Sequence, residues 1–246
     1  MHSESERSST AKSRKRPFIP GAAAAPLAAT LVLSAAAAWR IAENDLPLSA
    51  KAGIGLAEFC FIAILAFSAA IDWRELIIPN VLSLGGIAAG LLFSLGIPQL
   101  HFHAGASAPH FNALPPWLDG LAASLVGVAT GAAAGMAMNR LGMLFLKKQI
   151  AALRQEGHDI DSALGFGDVK LLGCIGAFLG WEGILPTLLI ATTLASVIGS
   201  VLRLVGGAPG TATGAAGLAA RWRSGRAIFP FGPFLATGAL VALFFR

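Results

Sequence analysis

Seven stretches of this chain, near residues 21–39, 52–71, 78–98, 118–146, 168–182, 183–205 and 229–245, are apolar almost throughout. A helix needs about 17–25 residues to cross a bilayer core, and most of these runs reach that length. Inside hydrocarbon every backbone N–H and C=O has to pair within the protein, which leaves spanning helices or a closed barrel. The period-2 alternation of barrel strands is absent. The chain therefore reads as all-α, a polytopic integral membrane helical bundle of about seven transmembrane helices. Its charged fraction of 13% and mean hydropathy of +0.70 agree, since a soluble domain carries about 25% charged residues.

The charges it does carry fall unevenly. With the N-terminus inside, the cytoplasm receives the 1–19 tail, the 72–77 loop, the 140–170 region and the 203–226 loop. Together these hold every Lys and Arg except Arg40, Lys51 and Arg246. The positive-inside rule thus selects an N-in, C-out orientation. It also accounts for the net charge of +5 without nucleic acid, for which there is no basic domain. Trp39, Trp73, Trp117, Trp181 and Trp222 all stand near expected span ends, as interfacial anchors do. Three parts follow: a basic cytoplasmic tail (1–19), a first span with a short outside loop (20–50), and a membrane domain (51–246). The basic start followed by AAAAPLAATLVLSAAAA also resembles a secretory leader with a small-residue cleavage region. Retention of the first span stays open at this point.

Several features carry no chemistry of their own. Cys60 and Cys174 lie singly inside apolar runs, read as small buried hydrophobes rather than zinc ligands. His101, His103 and His110 cluster in HFHAGASAPHF, but with no carboxylate beside them and no common ligand spacing they do not read as a metal site. Small residues, clearest in GAAAGMAMNRLG, provide faces for close helix packing. Glu75, Glu156, His158 and Asp161 read as solvated loop residues, and Arg221, Arg223 and Arg226 as positive-inside charges.

Two aspartates demand more. GFGDVK puts Asp168 at the head of an uncharged run, and SAAIDWRELIIPN puts Asp72 at the end of another. In the N-in topology both carboxylates lie at the cytoplasmic end, at similar depth. Each alone has a plain account: Asp168 as a helix N-cap, Asp72 as a loop charge. Together they could share one proton, one acting as base on a water and the other as acid toward a carbonyl. That is the arrangement of an aspartic protease, which needs neither cofactor nor metal. Gly165 and Gly167 leave room for close backbone approach, and Pro79 opens the third span where proline is tolerated. Helix ends predict unequal acids: Asp168 at a positive end as base, Asp72 at a negative end as proton carrier, with Lys170 reinforcing the bias or anchoring at the interface.

These residues carry a resemblance. GFGDVKLLGCIGAFLGW is similar to the G-x-G-D signature of the type IV prepilin peptidases at Gly165, Gly167, Asp168, Lys170 and Leu171. IDWRELIIPN resembles the family's first aspartate motif at Asp72, Ile78, Pro79 and Asn80. FPFGPFLATGAL resembles its closing span at Pro230, Phe231, Gly232, Pro233 and Phe234. The resemblance implies a membrane-embedded aspartic endopeptidase. It would cut the basic leader of prepilins or pseudopilins on the cytoplasmic side, after a glycine and before the hydrophobic helix. Asp72 and Asp168 would be the catalytic pair, and Gly165, Gly167, Lys170 and Pro79 would shape the site. The larger bifunctional members carry paired CxxC motifs and methylate the new N-terminus; only IAENDLPLSAKA separates the first two spans here, so methylation is not expected. Two other classes fit a bundle with paired acids. One is a proton- or cation-coupled transporter with an aspartate relay, whose acids would lie mid-span. The other is an inactive scaffold of a pilus or secretion machine. The oligomeric state is left open.

Overall fold

The structure, a computed structural model, describes residues 24–43, 46–101, 114–145, 164–205 and 230–245. They form seven α-helices: α1 (Ala24–Ala42), α2 (Leu48–Glu75), α3 (Asn80–Gly96), α4 (Pro116–Phe145), α5 (Phe166–Leu179), α6 (Ile184–Val205) and α7 (Gly232–Phe244). Short 3₁₀ turns at Pro98–His101 and Trp181–Gly183 complete the described elements. No strand occurs among the described residues. Each helix coincides with one of the apolar runs. Four stretches, Ala25–Ala42, Leu48–Glu75, Pro116–Phe145 and Trp181–Val201, are long and apolar enough to cross a membrane. The protein is a helical membrane protein.

The helices run further than hydropathy alone suggests. Residues 72–75, expected in a loop, form the last turn of α2, and Glu75 is exposed there. The boundary expected after residue 50 falls inside α2, because α1 and α2 are separated only by residues 43–47. Polarity had marked IAENDLPLSAKA as a loop, yet its last residues add the first turn of α2. The tail, the 147–162 and 203–226 loops, Glu156, His158, Asp161, Trp222, His103 and His110 lie outside the described residues or reach beyond them.

Helix α5 occupies the centre. Residues 168, 169 and 171–179 are all buried, which explains why its sequence is apolar all round rather than striped. Its neighbours approach through glycine. A Cβ on Gly127 of α4 would stand 2.0 Å from the Gly176 carbonyl oxygen of α5, and one on Gly176 would stand 1.9 Å from the Gly127 oxygen. Gly131 meets the Leu172 carbonyl at 2.3 Å in the same sense. On the other flank, Gly86 of α3 faces Cys174 Sγ and Gly90 faces Ala177. A glycine inside a helix costs about 1 kcal/mol relative to alanine; here the cost is offset by backbone contact that no larger residue allows. Ser124 Oγ of α4 also donates to the Ala177 carbonyl at 2.8 Å. Phe61 of α2 stacks on Phe178 with ring centroids 4.8 Å apart.

Helices α1, α2 and α7 meet around a charged pair that the sequence reading did not anticipate. Arg40 of α1 pairs with the buried Glu58 of α2, donates to the Leu243 carbonyl of α7 at 2.6 Å, and lies over the Phe244 ring. A buried carboxylate needs such a partner. At that same end of the bundle, His101 Nε2 sits 2.8 Å from Ser94 Oγ. Among the described residues no group of three His, Cys, Asp or Glu side chains could hold a metal ion.

The backbone contact between α4 and α5 sets a direct expectation. Gly176→Ala forces the two helices apart and should destabilise the protein by about 1–3 kcal/mol or more, as overpacking does. Gly55→Ala in α2 meets nothing within 4 Å and should leave stability unchanged or raise it slightly. Thermal unfolding of the two variants in detergent micelles checks the contrast.

Candidate active site

The two aspartates reach the same place from opposite directions. Asp72 lies in the last turn of α2, and its backbone carbonyl accepts from Leu76 N at 2.9 Å as the helix closes. Leu76 has φ 58 and ψ 29, the only positive φ on a non-glycine residue among those described. A left-handed leucine costs about 1–2 kcal/mol, and here it turns the chain back sharply. Asp168 is the third residue of α5. The N-cap position belongs to Gly165, in extended conformation and with no side-chain cap, so Asp168 is not the N-cap. It instead sits one turn inside, with its carboxylate facing the Gly165 backbone N–H, a reach that acidic residues at this position commonly make.

The link after α2 is what ties the aspartate motifs together. Pro79, with φ −61, caps α3, one residue before the position expected for it. Ile78 is buried and docks on Gly167, where a Cβ would stand only 3.0 Å from Ile78 Cβ. Asn80 Oδ1 accepts from Lys170 Nζ at 2.7 Å, so Lys170 bridges α5 to the start of α3. On the far side, Asn139 of α4 accepts from Leu164 N at 3.0 Å and holds the chain entering α5. Asp72, Pro79, Gly165, Gly167, Asp168 and Lys170 thus converge on one end of the bundle.

A third helix completes the site. The Gly232 N–H at the start of α7 donates to Asp72 Oδ2 at 2.9 Å, in a buried contact. Both carboxylates are buried, Asp72 with 6% and Asp168 with 9% of its surface exposed. They are close enough for direct charge–charge interaction. Asp168 Oδ1 is buried without a hydrogen-bond partner among the described residues. Three helix ends, from α2, α5 and α7, therefore enclose a pair of carboxyl groups, with Asp168 Oδ1 unpaired among the described residues. The sequence placed Gly232 within a motif but gave it no role. Its signal was a glycine wedged between Phe-Pro-Phe and Pro-Phe, where no side chain is tolerated.

The chain belongs to the type IV leader peptidase family. The family's pattern matches residues 59–200, which include both aspartates and the link between α2 and α3. Curated relatives agree. A prepilin leader peptidase/N-methyltransferase of Burkholderia pseudomallei is 34% identical over 224 residues, 89% of this chain and 56% of the relative. One from Xanthomonas campestris pv. campestris is 28% identical over 218 residues, 87% of this chain and 56% of the relative. One from Klebsiella pneumoniae is 29% identical over 140 residues, 57% of this chain. The chain spans about 56% of the length of the first two relatives. No solved structure matches it.

The two glycines ahead of Asp168 are held by different neighbours. A Cβ on Gly167 meets Ile78 Cβ, anchored to its own backbone, whereas one on Gly165 meets Asp168 Oδ2 at 3.3 Å, a movable side-chain end. Gly167→Ala should therefore cost about 1–3 kcal/mol of stability, and Gly165→Ala less than about 1 kcal/mol. Denaturation of both variants in micelles tests the order.

Proposed function

We propose that the protein is a prepilin-type aspartic endopeptidase, with Asp72 and Asp168 as its catalytic pair. The supporting observation is the meeting of these two carboxylates, buried at three helix ends, in a chain of the type IV leader peptidase family. One carboxylate takes a proton from water as it attacks the scissile carbonyl; the other gives a proton to the carbonyl oxygen. The proton taken from water passes to the leaving nitrogen, and collapse of the tetrahedral intermediate releases the leader with a new carboxyl end and the pilin with a new amino end. A water bound by Asp168 Oδ1 would satisfy an oxygen without a hydrogen-bond partner among the described residues. The chemistry calls on no metal and no cofactor.

The substrate on this reading is a prepilin or pseudopilin, cut after a glycine and before its hydrophobic helix. Cleavage takes place at the cytoplasmic face of the bacterial inner membrane. The side rests on charge: the segments at the Asp72 and Asp168 end carry nearly all the Lys and Arg. Gly165, Gly167, Pro79 and Lys170 shape the site by docking the α2–α3 link on α5. Methylation is left out of this reading. Residues 43–47 are all that separates α1 from α2, and Cys60 and Cys174 lie within α2 and α5. A transport relay is less well supported, because both acids lie within a turn of a helix end rather than mid-span.

The deciding experiment follows leader removal from a model prepilin, with a basic leader ending in glycine and an apolar helix after it. Membranes carrying wild type, Asp72→Asn or Asp168→Asn are compared by gel mobility. The wild type should cut, and each variant should lose about 10²–10⁴-fold in rate while remaining inserted, as loss of a general acid or base does. In the Asp72→Asn variant the side-chain amide oxygen can still accept from Gly232 N–H, so its loss of activity reports the carboxyl group and not the local fold. Variants that cut at the wild-type rate would make the aspartates structural and return the relay and scaffold readings.

A further inference from the structure

We infer that Gly232 is a positioning residue for Asp72: the first N–H of α7 fixes the orientation of that carboxylate, and only glycine leaves room for it. The inference rests on the aspartic peptidase reading above. Two independent observations carry it. The first is the buried hydrogen bond from Gly232 N to Asp72 Oδ2 at 2.9 Å, joining residues 160 positions apart. The second is steric. A Cβ on Gly232 would stand 2.8 Å from Asp72 Oδ2, 3.1 Å from Cγ and 3.2 Å from Cβ. Any larger residue pushes on the whole carboxyl group, not on one flexible end.

The surrounding sequence serves the same contact. Pro233 lies in the first turn of α7, where its missing N–H is no loss, so the donor at Gly232 has no competing neighbour beside it. Phe234 and Leu235 are buried and set the depth of the helix end. With Oδ2 engaged by Gly232, the remaining oxygen of Asp72 is the one free to act on water or on the proton shared with Asp168. Holding one oxygen makes the two chemically distinct, which a freely turning carboxylate would not be. A misplacement of about 1 Å at a catalytic group can cost on the order of 10²-fold in rate.

The test uses the full chain, purified in detergent, and the model prepilin. Gly232→Ala should lower kcat on the order of 10²-fold with KM within about twofold, since the contact orients a catalytic group and binds no substrate. Gly238→Ala is the control: it lies in the same helix, with its Cβ 2.4 Å from the Thr187 carbonyl of α6, and should lower thermal stability while keeping kcat per folded molecule. If Gly232→Ala keeps wild-type kcat while Asp72→Asn and Asp168→Asn are inactive, the clamp is wrong and the peptidase reading stands. If wild type itself fails to cut, the peptidase reading fails first.

A second measurement covers the case in which Gly232→Ala does not fold. The chain contains only two Phe-Gly steps, Phe166–Gly167 and Phe231–Gly232. Labelling with carbonyl-¹³C phenylalanine and ¹⁵N glycine therefore gives two amide signals in an NMR experiment selected through the ¹³C carbonyl, both from the site. In Asp72→Asn the Gly232 proton should move upfield as its acceptor loses charge, while Gly167 moves less. A Gly232 signal unchanged by Asp72→Asn overturns the proposal.

Discussion

Everything at the site depends on how closely α4 can approach α5. Gly127 and Gly176 bring two helix backbones together with no side chain between them, and Gly131 continues the contact one turn further along. In a bilayer, apolar side chains gain little by leaving lipid for protein, so helices associate through packing and polar contacts rather than hydrophobic burial. Close backbone approach is the strongest form of that packing. It lets a helix of only 14 residues be enclosed by longer ones, and it fixes the level at which Asp168 stands. Val169 lies against Gly135, while α4 continues to Phe145, roughly 15 Å further. The site is thus set below the reach of its longest wall.

A short central helix also resolves a conflict between water and hydrocarbon. Helix α5, at 14 residues, and α7, at 13, extend roughly 21 and 20 Å, less than the hydrocarbon thickness of about 30 Å. Their N-terminal ends carry Asp168 and the Gly232 donor, both buried although Phe166 at the head of α5 is exposed. Carboxyl groups placed there are shielded by protein and stay within a turn of an aqueous end. On the proposed reading this is what hydrolysis needs: a reaction centre out of bulk water with access to single water molecules.

Much of this was legible in the sequence, and the failures are informative. Long apolar runs located every helix among the described residues, because hydrocarbon permits little else. The two aspartates stood out because one ends such a run and the other heads one. Alternation of helix direction then put them at one end, and the structure brings them together. What the sequence could not show was anything set by three-dimensional approach. Nothing local to Glu58 points to its partner, because Arg40 comes from another helix. Asp168 looked like an N-cap because caps are read from local spacing, whereas Gly165 takes that place. Gly232 was visible as a glycine among aromatics and prolines, but its partner lies 160 residues away.

That last contact changes the electrostatic argument about the two acids. Reasoning from each aspartate's own helix gives an unequal pair, since Asp168 lies near the positive end of α5 and Asp72 near the negative end of α2. The structure adds a helix that the local argument left out. The N-terminus of α7 points its first N–H at Asp72, supplying the donor that the end of α2 lacks. Asp168 has the Gly165 N–H, and Asp72 has that of Gly232. Each carboxyl group thus faces the N-terminal end of a helix, and the two surroundings are more alike than the sequence implied. On the proposed reading, similar surroundings on both sides suit a pair that passes one proton back and forth, since neither partner then holds it too firmly to give it up. On that reading the third helix of the site acts by making the first two acids alike.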